Sequence, residues 1–140
     1  MLSRKNKILL FSFTLTLIIS IAKAEISSVD DNAIIKGKTI QLHVDRAAGI
    51  IINRYCHKTN GKYDCQAIKA LAHASFVEVI IKGGANPGAI ICLKLGGRVV
   101  LSVDRDRNEN SYCQFKDGSL AASGSIAFHA RKNDEDRAMK

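Results

Sequence analysis

The sequence predicts a small single α+β domain, in which short helices pack on antiparallel hairpins and disulfides stabilise the fold. Two kinds of segment predict this class: runs of alternating apolar and polar residues, as in strands, and short runs rich in alanine and leucine, as in helices. Turn residues such as glycine and asparagine separate these runs. The four cysteines are an even number, which favours a framework of disulfides.

The first 24 residues have the composition of a secretory signal peptide. Basic residues precede an apolar run at 8–22, and Ala22, Lys23 and Ala24 form a small-x-small cleavage signature. The run of 15 residues is shorter than the about 20 that span a bilayer, which disfavours an uncleaved anchor. We therefore expect cleavage near Ala24 and a periplasmic or extracellular mature chain of 116 residues, 140 minus 24.

The charge of the mature chain limits the classes of partner. Four of the 21 basic residues and none of the 13 acidic residues precede Glu25, so the mature charge is 17 minus 13, or +4. These charges form no concentrated basic stripe of the kind that nucleic acid requires. We therefore expect an unknown protein or envelope component as partner and no nucleic acid, with membrane contact as a less favoured alternative.

All four cysteines, Cys56, Cys65, Cys92 and Cys113, lie in the predicted mature chain. Of the three pairings that they allow, we favour Cys56 with Cys65 and Cys92 with Cys113, because each pair brackets a local turn. Each bridge would stabilise the fold by about 2–3 kcal/mol in the chain-entropy model. A zinc site would need ligand pairs such as Cys-x-x-Cys, which the sequence lacks, so we expect no metal and no cofactor.

Residues 25–85 form the N-terminal part of the mature domain and carry no recognised motif. Alternation over 39–44 predicts a half-buried strand with His43 on its polar face. Asp45 is a candidate N-cap for a helix over 46–56, although three isoleucines and a glycine weaken that prediction.

A second helix and a second strand are predicted before residue 86. Asp64 is a candidate N-cap for a helix over 65–74, which is rich in alanine, leucine and lysine. The β-branched residues of 76–81 predict a strand. The glycines of 82–85 predict a hinge and mark the boundary between two subregions.

A helix followed by a hairpin is predicted next. Asn86 is an N-cap, Pro87 suits the first helical position, and Gly96 and Gly97 end the helix. We expect the helix to pack on the hairpin at 98–115, with Cys92 and Cys113 joining them. That hairpin consists of two strands around a charged turn, and a second tight turn follows it at Asp117 and Gly118.

The C-terminal end is predicted to be a short helix or strand at 126–131, followed by a charged, frayed tail at 132–140. The module that begins at Asn86 would therefore span 86–131.

The order and spacing of these motifs resemble DUF333, a family of small bacterial exported proteins of unknown function that are often labelled hemolysins. The resemblance covers about residues 86–119 and implies a helix held against a hairpin. It implies no specific reaction, because a family or fold does not fix function. The matching positions are Asn86, Pro87, Cys92, Gly96, Gly97, Cys113, Phe115, Asp117, Gly118 and Ser119.

The chain departs from the family in three respects. It has no tryptophan, whereas members usually carry one shortly after the Asp-Gly turn, so Ile126 or Phe128 is a candidate for that core position. Ala121 stands where some members have a third cysteine. Many members are lipoproteins, and no lipidation cysteine follows the predicted cleavage site.

Each sequence pattern that could indicate catalysis or metal binding lacks a group that the chemistry requires, so we expect that the protein is not an enzyme. A nucleophile at Cys56 with His57 as base would lose its thiol in a disulfide, although a small hydrolase using this pair is a rival interpretation. A calcium-loop pattern begins at Asp104, but its sixth and twelfth positions are Glu109 and Phe115 instead of glycine and glutamate. We therefore interpret it as a solvated hairpin turn.

We expect an exported, non-enzymatic envelope or secreted protein with a binding or accessory role. Membrane lysis is an alternative, in which the apolar segments 50–52 and 77–81 would enter a bilayer, although both are more simply explained as core. Protease inhibition is a further alternative, since stapled small domains are good scaffolds, but no reactive loop is recognisable.

Overall fold

A computed structural model describes residues 29–104 and 106–140, so the predicted signal peptide at 1–24 lies outside the described residues. Six strands and three helices occur in this part of the chain. Their order is β1 (Val29–Ile35), β2 (Lys38–Asp45), β3 (Ile50–Asn53), α1 (Gln66–His73), α2 (Pro87–Lys94), β4 (Arg98–Val103), β5 (Glu109–Gln114), β6 (Leu120–Ala122) and α3 (Ser123–Ala138). A short 3-10 turn, Arg54–Cys56, follows β3. The predicted α+β class with disulfides is confirmed.

The six strands form a closed antiparallel barrel in the order β1-β2-β3-β6-β5-β4. Each of the two predicted segments, 25–85 and 86–131, contributes three consecutive strands. The two sets join where β3 pairs with β6 and where β1 pairs with β4, at one residue pair each. Both segments are therefore needed to close the sheet.

Two layers of apolar side chains hold the barrel. Its interior receives side chains from every strand, among them Leu42, Tyr112 and Leu120. On the outer side, the helices cover β3, β6, β5 and β4, and Ile52 and Ile126 are fully buried there. Of the two candidates for the family's tryptophan position, Ile126 is therefore in the core, whereas Phe128 is half exposed.

The outer face of β1 and β2 is mostly polar, with Ile34 exposed at one end, and has no described helix packed along it. Asn32 lies directly opposite Gln41 across the two strands, and Thr39 lies two residues further along on the same face. All three side chains are exposed. The strand predicted at 39–44 is present within β2 and is half-buried, as expected.

The predicted helix over 46–56 is wrong, because these residues form a turn, strand β3 and the 3-10 turn. The isoleucines take the extended conformation that β-branched side chains favour, and Ile50 and Ile52 are buried. Asp45 caps no helix. Its carboxylate accepts a hydrogen bond from the Ala48 N–H at 2.9 Å and so closes the turn between β2 and β3.

The predicted strand at 76–81 is also wrong, since these residues form an irregular loop. A strand needs a neighbour for its backbone hydrogen bonds, and a closed barrel offers no free edge. The loop is held instead by Asp134, which accepts a hydrogen bond from the Phe76 N–H at 2.7 Å. Ile80 is 73% exposed and Val77 60%, so they are not the core residues that we expected.

The predicted frayed tail at 132–140 and the short element at 126–131 are in fact one helix, α3, which continues to residue 138. Its far end is anchored by Asn133, whose Nδ2 donates to the carbonyls of Leu71 at 2.9 Å and Ala74 at 3.0 Å. The last carbonyls of a helix lack the usual partners within the helix, and that of Leu71 accepts a backbone hydrogen bond only from the Ala74 N–H at 3.4 Å. Asn133 supplies a donor for these carbonyls, and the resulting contacts hold the C-terminal half of α3 against the end of α1.

Candidate functional site

Both favoured disulfides are present, Cys56–Cys65 and Cys92–Cys113, so no described cysteine is free. The second joins α2 to β5 with Cα atoms 5.5 Å apart, as predicted for the helix and hairpin. Gly97 lies against this bridge, and a Cβ at that position would overlap the Sγ of Cys113. One glycine of the family motif is therefore explained by the space that the disulfide occupies.

The other motif residues around α2 shape its two ends. The Asn86 side chain accepts a hydrogen bond from the helix backbone at 3.3 Å, and Pro87 occupies the first turn. At the other end Gly96 has a φ of +77°, and the Gly97 N–H donates to the Cys92 carbonyl at 2.9 Å. This is the Schellman arrangement that favours glycine after a helix.

The turn at Asp117 caps α1 rather than only reversing the chain. Asp117 Oδ2 accepts a hydrogen bond from the Gln66 N–H at 2.8 Å, and Ser119 Oγ accepts one from the next N–H at 2.9 Å. The predicted cap, Asp64, is wrong, because the residue at the N-cap position is Cys65 and it makes no side-chain cap. The cap comes from 51 residues downstream.

These contacts give the motif residues structural roles, and the disulfide Cys56–Cys65 consumes the thiol that a hydrolase would need. Within residues 29–104 and 106–140, no group of three or more His, Cys, Asp or Glu could hold a metal ion. Asp104 instead accepts hydrogen bonds from the N–H groups of Asp106 and Asn108 at 2.9 and 2.8 Å, as in a hairpin turn.

A cluster around His43 was not predicted. The loop closed by Cys56–Cys65 carries His57 and Tyr63, which pair across it and lie over β2. The His43 ring stacks on that of His57 with centroids 4.1 Å apart and planes 9° apart. His43 is therefore only 2% exposed, although it lies on the outer face of its strand.

A chain of hydrogen bonds runs from Asp45 through Tyr63 to His43. The Tyr63 O–H donates to Asp45 Oδ2 at 2.9 Å, so its oxygen accepts from His43 Nε2 at 3.3 Å. Neutral His43 consequently carries its proton on Nε2. Its Nδ1 lies 3.8 Å from a carboxylate oxygen of Asp30.

His43 and Tyr63, which lie at the centre of these hydrogen bonds, both have pKa values that favour the neutral form. Burial, followed by the charges of His57 and Arg54, lowers the pKa of His43. Burial and the hydrogen bond to Asp45 raise the pKa of Tyr63 to about 12. Neither group is charged at neutral pH, and His43 is shielded from solvent, so the cluster orients the His57 ring rather than offering an accessible base.

His57 borders an open groove of about 810 Å³ on the bare face of β1 and β2, which we call the β1–β2 groove. Its polar lining includes Asn32, Thr39, Gln41, Arg54, Tyr55 and His57. Tyr55 is 51% exposed, and its O–H lies 3.5 Å from the Asp117 carbonyl. The groove thus combines amides, a hydroxyl and an aromatic ring on a rigid support.

The guanidinium of Arg54 is already occupied by an acidic partner. Its Nε lies 3.1 Å from Asp30 Oδ1, and Asp30 also faces His43. The Asp30 carboxylate therefore offsets the positive charge of Arg54 beside the groove. This matters for the kind of ligand that the groove can accept.

Two sequence signals could have indicated this surface. The alternation over 39–44 correctly placed Thr39, Gln41 and His43 on one face. The favoured Cys56–Cys65 bridge implied a short loop beside that strand, with His57 and Tyr63 on it. What the sequence does not show is that the loop folds over His43.

Residues 83–121 match the family model described as Domain of unknown function (DUF333). The matched residues begin just before α2 and run through the β4–β5 hairpin into β6. No curated protein and no solved structure significantly matches the chain. The resemblance carried by residues 86–119 is confirmed, since the part of the chain that is similar to DUF333 spans residues 83–121.

Proposed function

We propose that the protein is an exported, non-enzymatic binding module of the cell envelope or the secreted fraction, with the β1–β2 groove as its ligand surface. The observation that carries this proposal is the polar groove on β1 and β2, along which no described helix packs, whereas helices pack on β4, β5 and β6. Binding sites are typically concave, and a groove of about 810 Å³ lies on this face.

Three further features support a binding role over catalysis. The wall that carries Tyr55 and His57 is fixed next to the disulfide Cys56–Cys65, which limits its movement. Cys56 is oxidised in its disulfide with Cys65, and the buried His43 is neutral and shielded from solvent. The two disulfides suggest an oxidising, extracellular-type environment, which agrees with export.

Capture from envelope fractions tests this proposal. The mature protein, immobilised, should retain an envelope component that Tyr55→Ala fails to retain. Phe128→Ala is the matched control, because Phe128 is also about half exposed but lies on α3. Equal retention by Tyr55→Ala and wild type would show that the groove is not the ligand surface.

Mass spectrometry tests the predicted export separately. Purified mature protein should begin near Glu25 and contain two disulfides. A retained segment 1–24 or four free thiols would contradict the proposed processing and compartment.

Membrane adsorption is a second candidate, favoured by the exposed apolar loop at 76–81. Val77 and Ile80 are largely exposed, Lys82 follows them, and Lys94 ties the loop to α2 by donating to the Val77 carbonyl. Lys82 beside these apolar side chains suits an anionic bilayer surface, whereas the charge of Lys94 is offset by Glu78 at 3.6 Å. None of the described helices is long and apolar enough to cross a membrane.

Dye release from anionic liposomes distinguishes lysis from adsorption. If the loop acts on membranes, Ile80→Ser should reduce binding or release, and Leu101→Ser, an exposed aliphatic residue on β4, should not. Absence of both binding and release at micromolar protein would remove this candidate. Protease inhibition stays a prediction.

A further inference from the structure

The arrangement of polar groups in the β1–β2 groove indicates a class of ligand. We propose that the groove binds an uncharged oligosaccharide, with its sugar rings against Tyr55 and its hydroxyl groups on the amides of the floor. This inference rests on the proposed function, in which this groove is the ligand surface.

The floor of the groove, formed by Asn32, Thr39 and Gln41, can hydrogen-bond to hydroxyl groups. Asn32 and Gln41 are directly opposed in the β1–β2 register, which sets their Cβ atoms about 4.5–5.5 Å apart on one face. Each amide offers both donors and an acceptor, and the Thr39 hydroxyl offers one more of each. Adjacent hydroxyls of a sugar also donate and accept, so they can pair with such a floor without leaving a group unsatisfied.

Tyr55, on the wall of the groove, supplies an aromatic surface that complements the polar floor. Tyr55 is 51% exposed and its O–H lies 3.5 Å from the Asp117 carbonyl, so one end of the side chain contacts the protein while part of the ring faces solvent. The face of an aromatic ring carries partial negative charge, and the C–H groups on one side of a sugar carry partial positive charge. A sugar ring stacked on Tyr55 would cover surface that the protein leaves bare.

Charge disfavours the main competing ligands. Arg54 Nε is paired with Asp30 at 3.1 Å, so the carboxylate offsets the positive charge that would attract a phosphate or sulfate. An extended peptide would need apolar pockets for alternate side chains, whereas the exposed floor residues Asn32, Thr39 and Gln41 are polar. A neutral, hydroxyl-rich ligand agrees with both observations.

NMR titration with defined probes tests the ligand class. Uncharged tetramers of N-acetylglucosamine and of glucose are added to the ¹⁵N-labelled mature protein up to about 10 mM, a range that detects weak binding. An anionic tetrasaccharide serves as the charged comparison. We expect at least one neutral tetramer to shift amides of the groove, and the anionic one to bind more weakly.

Variants assign the contacts. Tyr55→Ala should weaken the neutral ligand by about tenfold or more, Tyr55→Phe should largely retain it because the ring remains, and Phe128→Ala should bind like wild type. Asn32→Ala and Gln41→Ala, both exposed, test the floor if Tyr55→Ala does not fold. Unchanged binding in the Tyr55 and floor variants would overturn the proposal, as would shifts confined to residues outside the groove.

Failure of this inference can be separated from failure of the proposed function. If neither neutral tetramer binds, but Tyr55→Ala still abolishes capture of an envelope component, then the groove is the site and the ligand class is wrong. If Tyr55→Ala leaves that capture unchanged, then the groove itself is wrong. Tighter binding of the anionic tetrasaccharide would also overturn the inference.

Discussion

Asp117 and Gln66 are joined by two reciprocal hydrogen bonds. Asp117 Oδ2 accepts from the Gln66 N–H at 2.8 Å, and the Asp117 N–H donates to Gln66 Oε1 at 3.3 Å. The contact resembles a capping box, except that its two halves come from segments 51 residues apart. It joins the DUF333 turn to a helix that lies outside the matched residues.

Replacing Asp117 should therefore destabilise the whole domain. Asp117→Ala leaves the first N–H of α1 without its acceptor, and we expect a loss of about 1–2 kcal/mol in the free energy of unfolding. Urea denaturation measures it. Asp64→Ala, next to the same helix but not its cap, should change stability by less than about 0.5 kcal/mol. Equal losses in both variants would contradict the assignment of the cap.

Asn133 should matter although it lies in the segment expected to fray. Asn133→Ala removes donors to the carbonyls of Leu71 and Ala74, and we expect a loss of about 1–3 kcal/mol in the free energy of unfolding. Lys132→Ala, the exposed neighbour, is the control and should be nearly neutral. Hydrogen exchange adds a local readout, because amides of α1 should lose protection only in the Asn133 variant. Unchanged stability in that variant would mean that the tail contributes little.

Elements that depend on local residue chemistry were predictable from the sequence, whereas elements that depend on distant contacts were not. After Asn86 the caps, stops and turns depend on local residue chemistry, and the helix, hairpin and disulfide were predictable from it. Elsewhere the outcome depends on distant partners, as at 132–140, where Asn133 binds carbonyls of α1 and the tail is helical up to residue 138. The β-branched run at 76–81 has strand propensity, but no edge of the closed barrel is left for it. The buried position of His43 depends on a loop that folds over it, which no local pattern encodes.

Gly97 offers a steric test of the disulfide environment. Gly97→Ala places a Cβ into the Sγ of Cys113, and overpacking of this kind should cost about 1–3 kcal/mol or prevent the bridge from forming. Gly124→Ala is the matched control, since that helical glycine has open space around it and alanine should be neutral or stabilising there. Thiol counting and urea denaturation together give the result. A fully bridged Gly97→Ala protein of wild-type stability would refute the overlap.

The free energy of unfolding should fall as the pH drops below about 6.5, the pKa of a histidine in an unfolded chain. Burial lowers the pKa of His43 and of His129 in the folded state, and His129 Nε2 has no hydrogen-bond partner. The unfolded chain therefore binds more protons than the folded one between the folded pKa values and about 6.5, which weakens folding as acid is added. Stability arising from these two groups is present above that pH.

Denaturation midpoints at several pH values between about 5 and 7.5 measure this loss. His129→Gln should reduce the slope, whereas His73→Gln, which replaces an exposed histidine, should leave it unchanged. A second loss should begin below about pH 4, because hydrogen bonds lower the pKa of Asp45 and Asp117. Stability that is constant or rising from pH 7.5 down to 5 would contradict the buried neutral state of the two histidines.

The caps of α1 also determine when this helix can form during folding. An isolated helix shorter than about 12 residues is unstable in water, and α1 has eight. Its stabilising contacts, from Asp117 and Asn133, lie 51 and 62 residues further along the chain. Helix α1 therefore becomes stable only after residues 117 and 133 have docked onto it. The stability of α1 is thereby coupled to the C-terminal third of the chain.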